Sequence, residues 1–271
     1  MSKRHYCTFC GAKKIESKML QIEYRLLRKS GWICREHTST TADIAHIRTS
    51  NDQPIFVELF SGSGHISQMA QEYGYKTVTI DIEEKYHPDI CIDITNLRAT
   101  RLPGTVEVVW ASIPCTVYSI LNIPNQWDKI CIGYRQYYYV PKTKKAIAAL
   151  RVLTKTISLI KQLNPIYYFI ENPRGALRHM PYMKFVPYRR TVSYKDYGFE
   201  VYKPTDIFTN CQHFQPIEIR GAMGANFGQQ IQDLSNAYER SLVPPELIRY
   251  LFQSIEFLQP ASGQVQTIPA T

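Results

Sequence analysis

The segment IFVELFSGSGHISQMAQEYG (55–74) constrains the fold of this 271-residue chain more than any other stretch. Six residues suited to a buried strand run straight into a Ser-Gly-Ser-Gly turn, and a helical apolar pattern follows over ISQMAQEYG (66–74). A strand that ends in a glycine turn and continues as a helix opens a βα unit, and such units build parallel sheets. The pattern recurs. KTVTID (76–81), VEVVWAS (106–112) and IYYFIE (166–171) are further strand-like runs with turn residues after them. TKKAIAALRVLTKTISLIKQL (143–163) reads as a long helix, stopped at Asn164-Pro165. The alternation predicts an α/β fold whose active crevice lies at the carboxyl ends of the strands. No internal repeat is present.

Two breaks divide the chain. A Thr/Ser-rich stretch follows His37, and TSNDQP (49–54) interrupts again. The expected organisation is a small module over 1–40, a linker over 41–53, a main domain over 54–258 and a disordered tail over 259–271. No apolar run has the length of a membrane span, so no membrane association is expected. The start, MSKRHYC, leads into cysteines and charges rather than an apolar run, so no secretory leader is expected either. A reducing cytoplasmic or nuclear setting follows, in which the seven cysteines read as metal ligands, buried thiols or a catalytic thiol before disulfides. The net charge of +9 is concentrated at one end, with ten Lys/Arg against four Asp/Glu in residues 1–50. That excess suits a polyanionic partner.

The first module carries Cys7-Thr-Phe-Cys10 and Cys34-Arg-Glu-His37, a CxxC pair and a CxxH pair. Two such pairs supply the four S/N ligands of a tetrahedral structural zinc site, and a module of this size has too little core to fold unaided. His5 competes for the fourth position. Between the pairs, KMLQIEYRLLRK (18–29) reads as an amphipathic helix, with Lys14, Lys18, Arg25 and Lys29 on one face.

In the main domain, the turn Ser61-Gly62-Ser63-Gly64 lets a ligand approach the backbone closely. The second strand ends in Asp81, where a carboxylate can accept from ribose hydroxyls, and a further acid, Asp93, stands in DICIDI. Helix capping and turn formation are the alternative roles of both acids. This pattern suits a dinucleotide or S-adenosylmethionine alike. Pro114-Cys115 follows VEVVWASI at the end of the fourth strand, and Glu171-Asn172-Pro173 ends the next, expected beside the first strand. A thiol and a carboxyl in one crevice suit the activation of cytosine: carbon 5 becomes nucleophilic once a thiolate adds to carbon 6, and a Glu at N3 and the 4-amino group stabilises the resulting enamine.

Taken in order, VELFSGSG, VTIDI, IPCTVYS, PIYYFIENP, VSYKDYGFEVYKP and SLVPPELIRYL resemble the motifs of the C5-cytosine DNA methyltransferases over roughly residues 55–252. The pattern is most similar to compact phage- or virus-encoded members. The resemblance implies a Rossmann-like sheet, S-adenosylmethionine as cofactor, DNA as partner, a base flipped out of the duplex and a monomer in the host cytoplasm. It implies Cys115 as nucleophile, with Glu171, Asn172 and Lys203 completing the catalytic group. It places the cofactor against Phe60, Ser61, Gly62, Ser63, Gly64, Asp81, Ile82, Asp93, Ile94 and Pro114. Several positions depart from the family. Thr116 stands for a Gln, His65 for a Gly and Pro173 for a Val, while Lys203 and Thr205 occupy the places of two arginines. The recognition region, at about 206–240, is much reduced. The segment WDKICIGYRQYYYVPKTKK (127–145) interleaves tyrosines with Arg135, Lys142, Lys144 and Lys145, which suits stacking and phosphate contact. An RNA cytosine methyltransferase shares these motifs. A catalytically silent DNA-binding protein of the same fold is a third reading, opposed by Cys115 and Glu171. An amino-methylating enzyme is a fourth, opposed by the thiol.

Overall fold

The computed structural model describes residues 53–134, 136–200, 202–217 and 242–256, together with the backbone of four short strands earlier in the chain. Those four form two antiparallel pairs: β1 (Arg4–Tyr6) with β2 (Lys13–Ile15), and β3 (Met19–Tyr24) with β4 (Lys29–Cys34). The helix expected over 18–29 is therefore corrected to a strand that pairs from Met19↔Cys34 to Tyr24↔Lys29. The physical reason is in the residues: Leu20, Ile22 and Tyr24 alternate with period two, and an isolated helix of a dozen residues is marginal in water. A paired strand satisfies the same backbone groups with a partner. Cys7, Cys10 and His37 lie outside the described residues, as do the linker and the tail.

The main domain is built on a seven-stranded sheet. Its strands are β5 (Ile55–Leu59), β6 (Lys76–Asp81), β7 (Ile90–Cys91), β8 (Val108–Ser112), β11 (Tyr167–Pro173), β12 (Tyr188–Ser193) and β13 (Pro204–Thr209). They lie in the order β12-β13-β11-β8-β5-β6-β7. All pairings from β7 to β11 are parallel, and β13 runs antiparallel to both β11 and β12. Outside the sheet, β9 (Trp127–Gly133) and β10 (Gln136–Pro141) form a separate hairpin. The chain order reverses between β5 and β8, which is where open α/β sheets place their ligands. Pro114-Cys115 indeed follows the fourth strand of this sheet. Glu171, by contrast, does not stand beside β5: β8 lies between β5 and β11. Both neighbours of β8 still end at the same edge, so the carboxyl reaches the crevice from one strand further away.

Period two in the strands divides the core. Val57, Val109, Ala111 and Ile170 point to one face and pack against Leu153, Ile157 and Ile160 of α2 (Lys144–Leu163), after α1 (His65–Glu72) has covered part of the other face. On that other face Phe56, Val108, Trp110 and Phe169 meet Ile66, Met69 and Ala70 of α1 and the apolar side of α3 (Pro245–Glu256). Helix α2 begins where Thr143 Oγ1 accepts from Ala146 N at 3.1 Å. It ends at Asn164, whose φ of 45° is left-handed, before Pro165. Each large apolar side chain buried in these layers contributes roughly 1.5–3 kcal/mol. Among the described residues no helix is long and apolar enough to cross a membrane.

Candidate active site

The crevice opens at the carboxyl ends of β5 and β8. On the β5 side the chain leaves the strand through Phe60, a non-glycine residue at φ 61°, and reaches α1 through Gly62 (φ 50°) and Gly64 (φ 69°). Phe60 in the left-handed region is a strained position of the kind found at ligand sites. The glycines adopt the same region without a Cβ penalty. Phe60, Ser61, Gly62 and Ser63 line the crevice, and the buried Ser61 hydroxyl has no hydrogen-bond partner among the described residues. A ligand with polar groups would satisfy it.

Asp81, at the end of β6, closes this turn. One carboxylate oxygen accepts from Gly62 N at 2.7 Å and the other from Glu83 N at 2.9 Å. Each oxygen keeps a lone pair for a ribose hydroxyl. Beside it Ile82 is 61% exposed among the described residues, an apolar side chain at the mouth of the sheet. Asp93 takes the alternative role of a cap: its side chain accepts from Thr95 N at 2.8 Å and from Thr95 Oγ1 at 2.7 Å. Ile94 is buried in the core. Gly64, Asp81, Ile82, Asp93 and Ile94 thus stand behind or beside the crevice wall, whereas Pro114 and Cys115 are in it.

Hydrogen bonds on both sides fix the Cys115 loop. Asn172, fully buried at the end of β11, donates from Nδ2 to the Ile113 carbonyl at 2.7 Å, two residues before the thiol. The Cys115 carbonyl accepts from Tyr118 N and Ser119 N, both at 2.9 Å. Gly175 then lies against this turn, and Ala176 N donates to the Tyr118 carbonyl at 2.8 Å. Tyr118 itself is buried, stacked on Trp127, and donates to Ala149 O at 2.9 Å. Cys115 stays exposed at the mouth of the crevice.

Opposite the thiol is a buried charged group. Glu171 and Lys203 are 5% and 4% exposed. Burial pushes the Glu171 carboxyl up, while the Lys203 charge and a hydrogen bond from Tyr194 pull it back. Burial lowers the Lys203 ammonium, opposed by Glu171 and Cys115. The Tyr194 hydroxyl donates to Glu171 Oε1 at 2.9 Å, and Lys203 Nζ sits 4.4 Å from the centre of its ring. Of the four residues expected from the sequence to act together, Cys115, Glu171 and Lys203 line one crevice and Asn172 stands behind it on the Ile113 carbonyl; Tyr194 was not anticipated. Nor was Glu58, which lines the crevice floor, accepts from Ser67 N at 2.8 Å and is pushed by burial up to about 7. Neither residue bears a local sequence signal. What places Tyr194 is the antiparallel register Ser193↔Pro204, which sets it across from Lys203.

In the hairpin over 127–141 the rings of Tyr137 and Tyr138 make contacts within the chain. Tyr137 Oη and His179 Nε2 are 3.1 Å apart, Lys129 lies 4.0 Å over the Tyr137 ring, and Lys184 reaches Tyr138, so these rings pack. Tyr134 at the tip is 86% exposed. The assigned recognition region overlaps the sheet at its start, since 206–209 belong to β13 and are buried. Arg178 forms a bidentate pair with Asp206 there.

Among known proteins, the chain is 28% identical over 171 residues to the "Probable DNA (cytosine-5)-methyltransferase" of Frog virus 3 (isolate Goorha), covering 59% of this chain and 72% of the viral one. No family model matches the chain. Similar solved structures include a "putative DNA modification methyltransferase" encoded within an E. coli prophage, at 14% identity and TM-score 0.41, covering 58% of this chain and 46% of that one. Another is an S-adenosylmethionine-dependent methyltransferase from Agrobacterium tumefaciens, at 11% identity and TM-score 0.29, covering 61% of this chain and 57% of that one. This chain therefore spans about half the length of those two structures.

Proposed function

We propose that the chain transfers a methyl group from S-adenosylmethionine to carbon 5 of cytosine in DNA. The enzyme is a DNA methyltransferase of the cytosine-5 kind. The observation that carries the reading is the convergence, in one crevice, of a glycine turn with an unsatisfied Ser61 hydroxyl, an exposed thiol at Cys115 and a buried Glu171–Lys203 pair. The likeness to the viral relative supports it.

The glycine turn, Asp81 and the bare Ile82 suit an adenosine, and Phe60 and Ser61 its methionine end. The cofactor supplies an electrophilic methyl group. The residues do the rest. Cys115 as thiolate adds to carbon 6 of the base, and its electron pair displaces density towards N3 and carbon 5. Glu171 gives a proton to N3, and Lys203 balances the charge that its carboxylate then carries. Carbon 5 takes the methyl group and gives its proton to water; the freed C–H electron pair forms the C5–C6 double bond and expels the Cys115 thiolate, while N3 returns its proton to Glu171. The charged hairpin and the basic first fifty residues are assigned to the phosphate backbone. A zinc ion on Cys7, Cys10, Cys34 and His37 belongs to the same proposal. Cys7 and Cys10 fall in sequence between the paired strands β1 and β2, and β4 ends at Cys34. Metal analysis should read one zinc per chain, and its absence would remove that part.

Mass spectrometry of nucleosides from DNA and RNA incubated with the protein and labelled cofactor tests the main reading. 5-Methylcytosine in DNA is expected. Cys115→Ser should abolish it and abolish trapping on 5-fluorocytosine DNA while cofactor binding survives, and Glu171→Gln should cost about 10²–10⁴ in turnover. Methylation of RNA alone, or wild-type turnover without the thiol, would overturn the proposal.

A further inference from the structure

Four buried polar side chains meet behind the thiol. Tyr194 and Thr205 are both fully buried, and Glu171 and Lys203 nearly so. The Thr205 hydroxyl donates to the Lys203 carbonyl at 3.3 Å beside the Tyr194 oxygen, and that phenol donates to Glu171 Oε1 at 2.9 Å. The Lys203 ammonium lies against the ring of the same tyrosine, 4.4 Å from its centre. A phenol has one proton, so with its donor aimed at Oε1 it fixes both the rotation of the carboxyl and which oxygen remains for the crevice. We propose that Tyr194 is a positioning residue for Glu171, backed by Thr205, that commits Oε1 to the protein and leaves Oε2 to hold the proton delivered to the base. This inference rests on the role of Glu171 in the proposed function and adds to it a residue that touches no substrate.

The arrangement also sets how tightly Glu171 holds its proton. A hydrogen bond donated to a carboxylate favours the ionised form, so the phenol opposes the effect of burial. Burial and Glu171 together raise the Tyr194 hydroxyl well above its ordinary value, so it stays a donor at neutral pH. The Tyr194 ring, which also packs edge-on against Phe199, survives in Tyr194→Phe.

Tyr194→Phe should lower kcat by about 10- to 100-fold with KM for DNA and cofactor affinity within twofold, because one hydrogen bond to a charged group is lost. The alkaline limb of the kcat–pH profile should move up by about one unit, since Glu171 holds its proton longer. Thr205→Val should give a smaller change in the same direction, and carries the test alone if Tyr194→Phe no longer binds cofactor. A profile superimposable on wild type in the variant that binds cofactor would overturn the proposal. Wild-type turnover by Glu171→Gln would instead remove the reading beneath it, so the two failures are told apart.

Discussion

Glu58 is a carboxyl in the wrong solvent. Its neighbours on the same strand, Phe56 and Val57, are core residues, yet it is 2% exposed and burial has lifted it from 4.5 to about 7. Unfolded, it ionises near 4.5; folded, it keeps its proton until about 7. The unfolded state therefore binds fewer protons between these values, and stability falls as pH rises through that window. The contribution is on the order of 2 kcal/mol. Glu58→Gln should flatten this slope, so that denaturant midpoints at pH 5 and pH 7.5 lie closer together than in the parent chain. An unchanged difference would mean that Glu58 is ionised in the folded protein at pH 5. Residue-level features of this kind were partly legible beforehand. Cys115 and Glu171 were, because each sits directly after a run of strand formers, and a strand end is a local property. Glu58 and Tyr194 were not, because burial and cross-strand register are set by the whole sheet.

Among the elements, α3 does more than its place near the end of the described chain suggests. Leu247, Ile248, Leu251, Phe252 and Ile255 are all buried, a single apolar face at helical spacing. Phe252 enters an aromatic group, 4.6 Å from Tyr73, 5.7 Å from Phe56 and 5.6 Å from Tyr75. Just before the helix, Leu242 and Val243 line the crevice. Phe252→Ala should cost about 3–5 kcal/mol in chemical denaturation and weaken cofactor binding, because the wall formed by Val243 loses its support. Full stability would show that the group repacks. The strands β5, β6, β8 and β11 were readable from runs of β-branched and aromatic residues. Strands β12 and β13 were not, since YRRTVS and PTDIFT carry polar residues that find their partners across the sheet, Asp206 with Arg178 and Thr191 among them. The segment 18–29 was misread as a helix because its apolar residues satisfy both periods over so short a length.

For the molecule as a whole, charge decides how it meets its substrate. The excess of +9, with two-thirds of it in the first fifty residues, attracts any polyphosphate regardless of sequence. Binding to duplex DNA should therefore fall steeply with salt. With six phosphate contacts, affinity drops by about 10³ between about 50 and 200 mM salt. A chain lacking residues 1–50 that still binds cofactor should show a shallower slope in fluorescence anisotropy titrations, and an identical slope would place the contacts elsewhere.

The anchoring of the Cys115 loop has a consequence for how the work of reaction is shared between protein and substrate. A methyl group on Gly175 would lie 2.1 Å from the Tyr118 carbonyl oxygen, so the two chain segments can meet only through glycine. With Asn172 tethering the other side, the thiol is held in advance, and under the proposed function little reorganisation is left to perform when a cytosine arrives. On that reading the cost of approach falls on the duplex, which would have to give up the stacking and pairing of the base. A cytosine opposite a mismatch, already loosely held, should react faster than one in a perfect duplex. That advantage should shrink in Gly175→Ala, where the displaced loop makes placement of the thiol, rather than release of the base, the slower event.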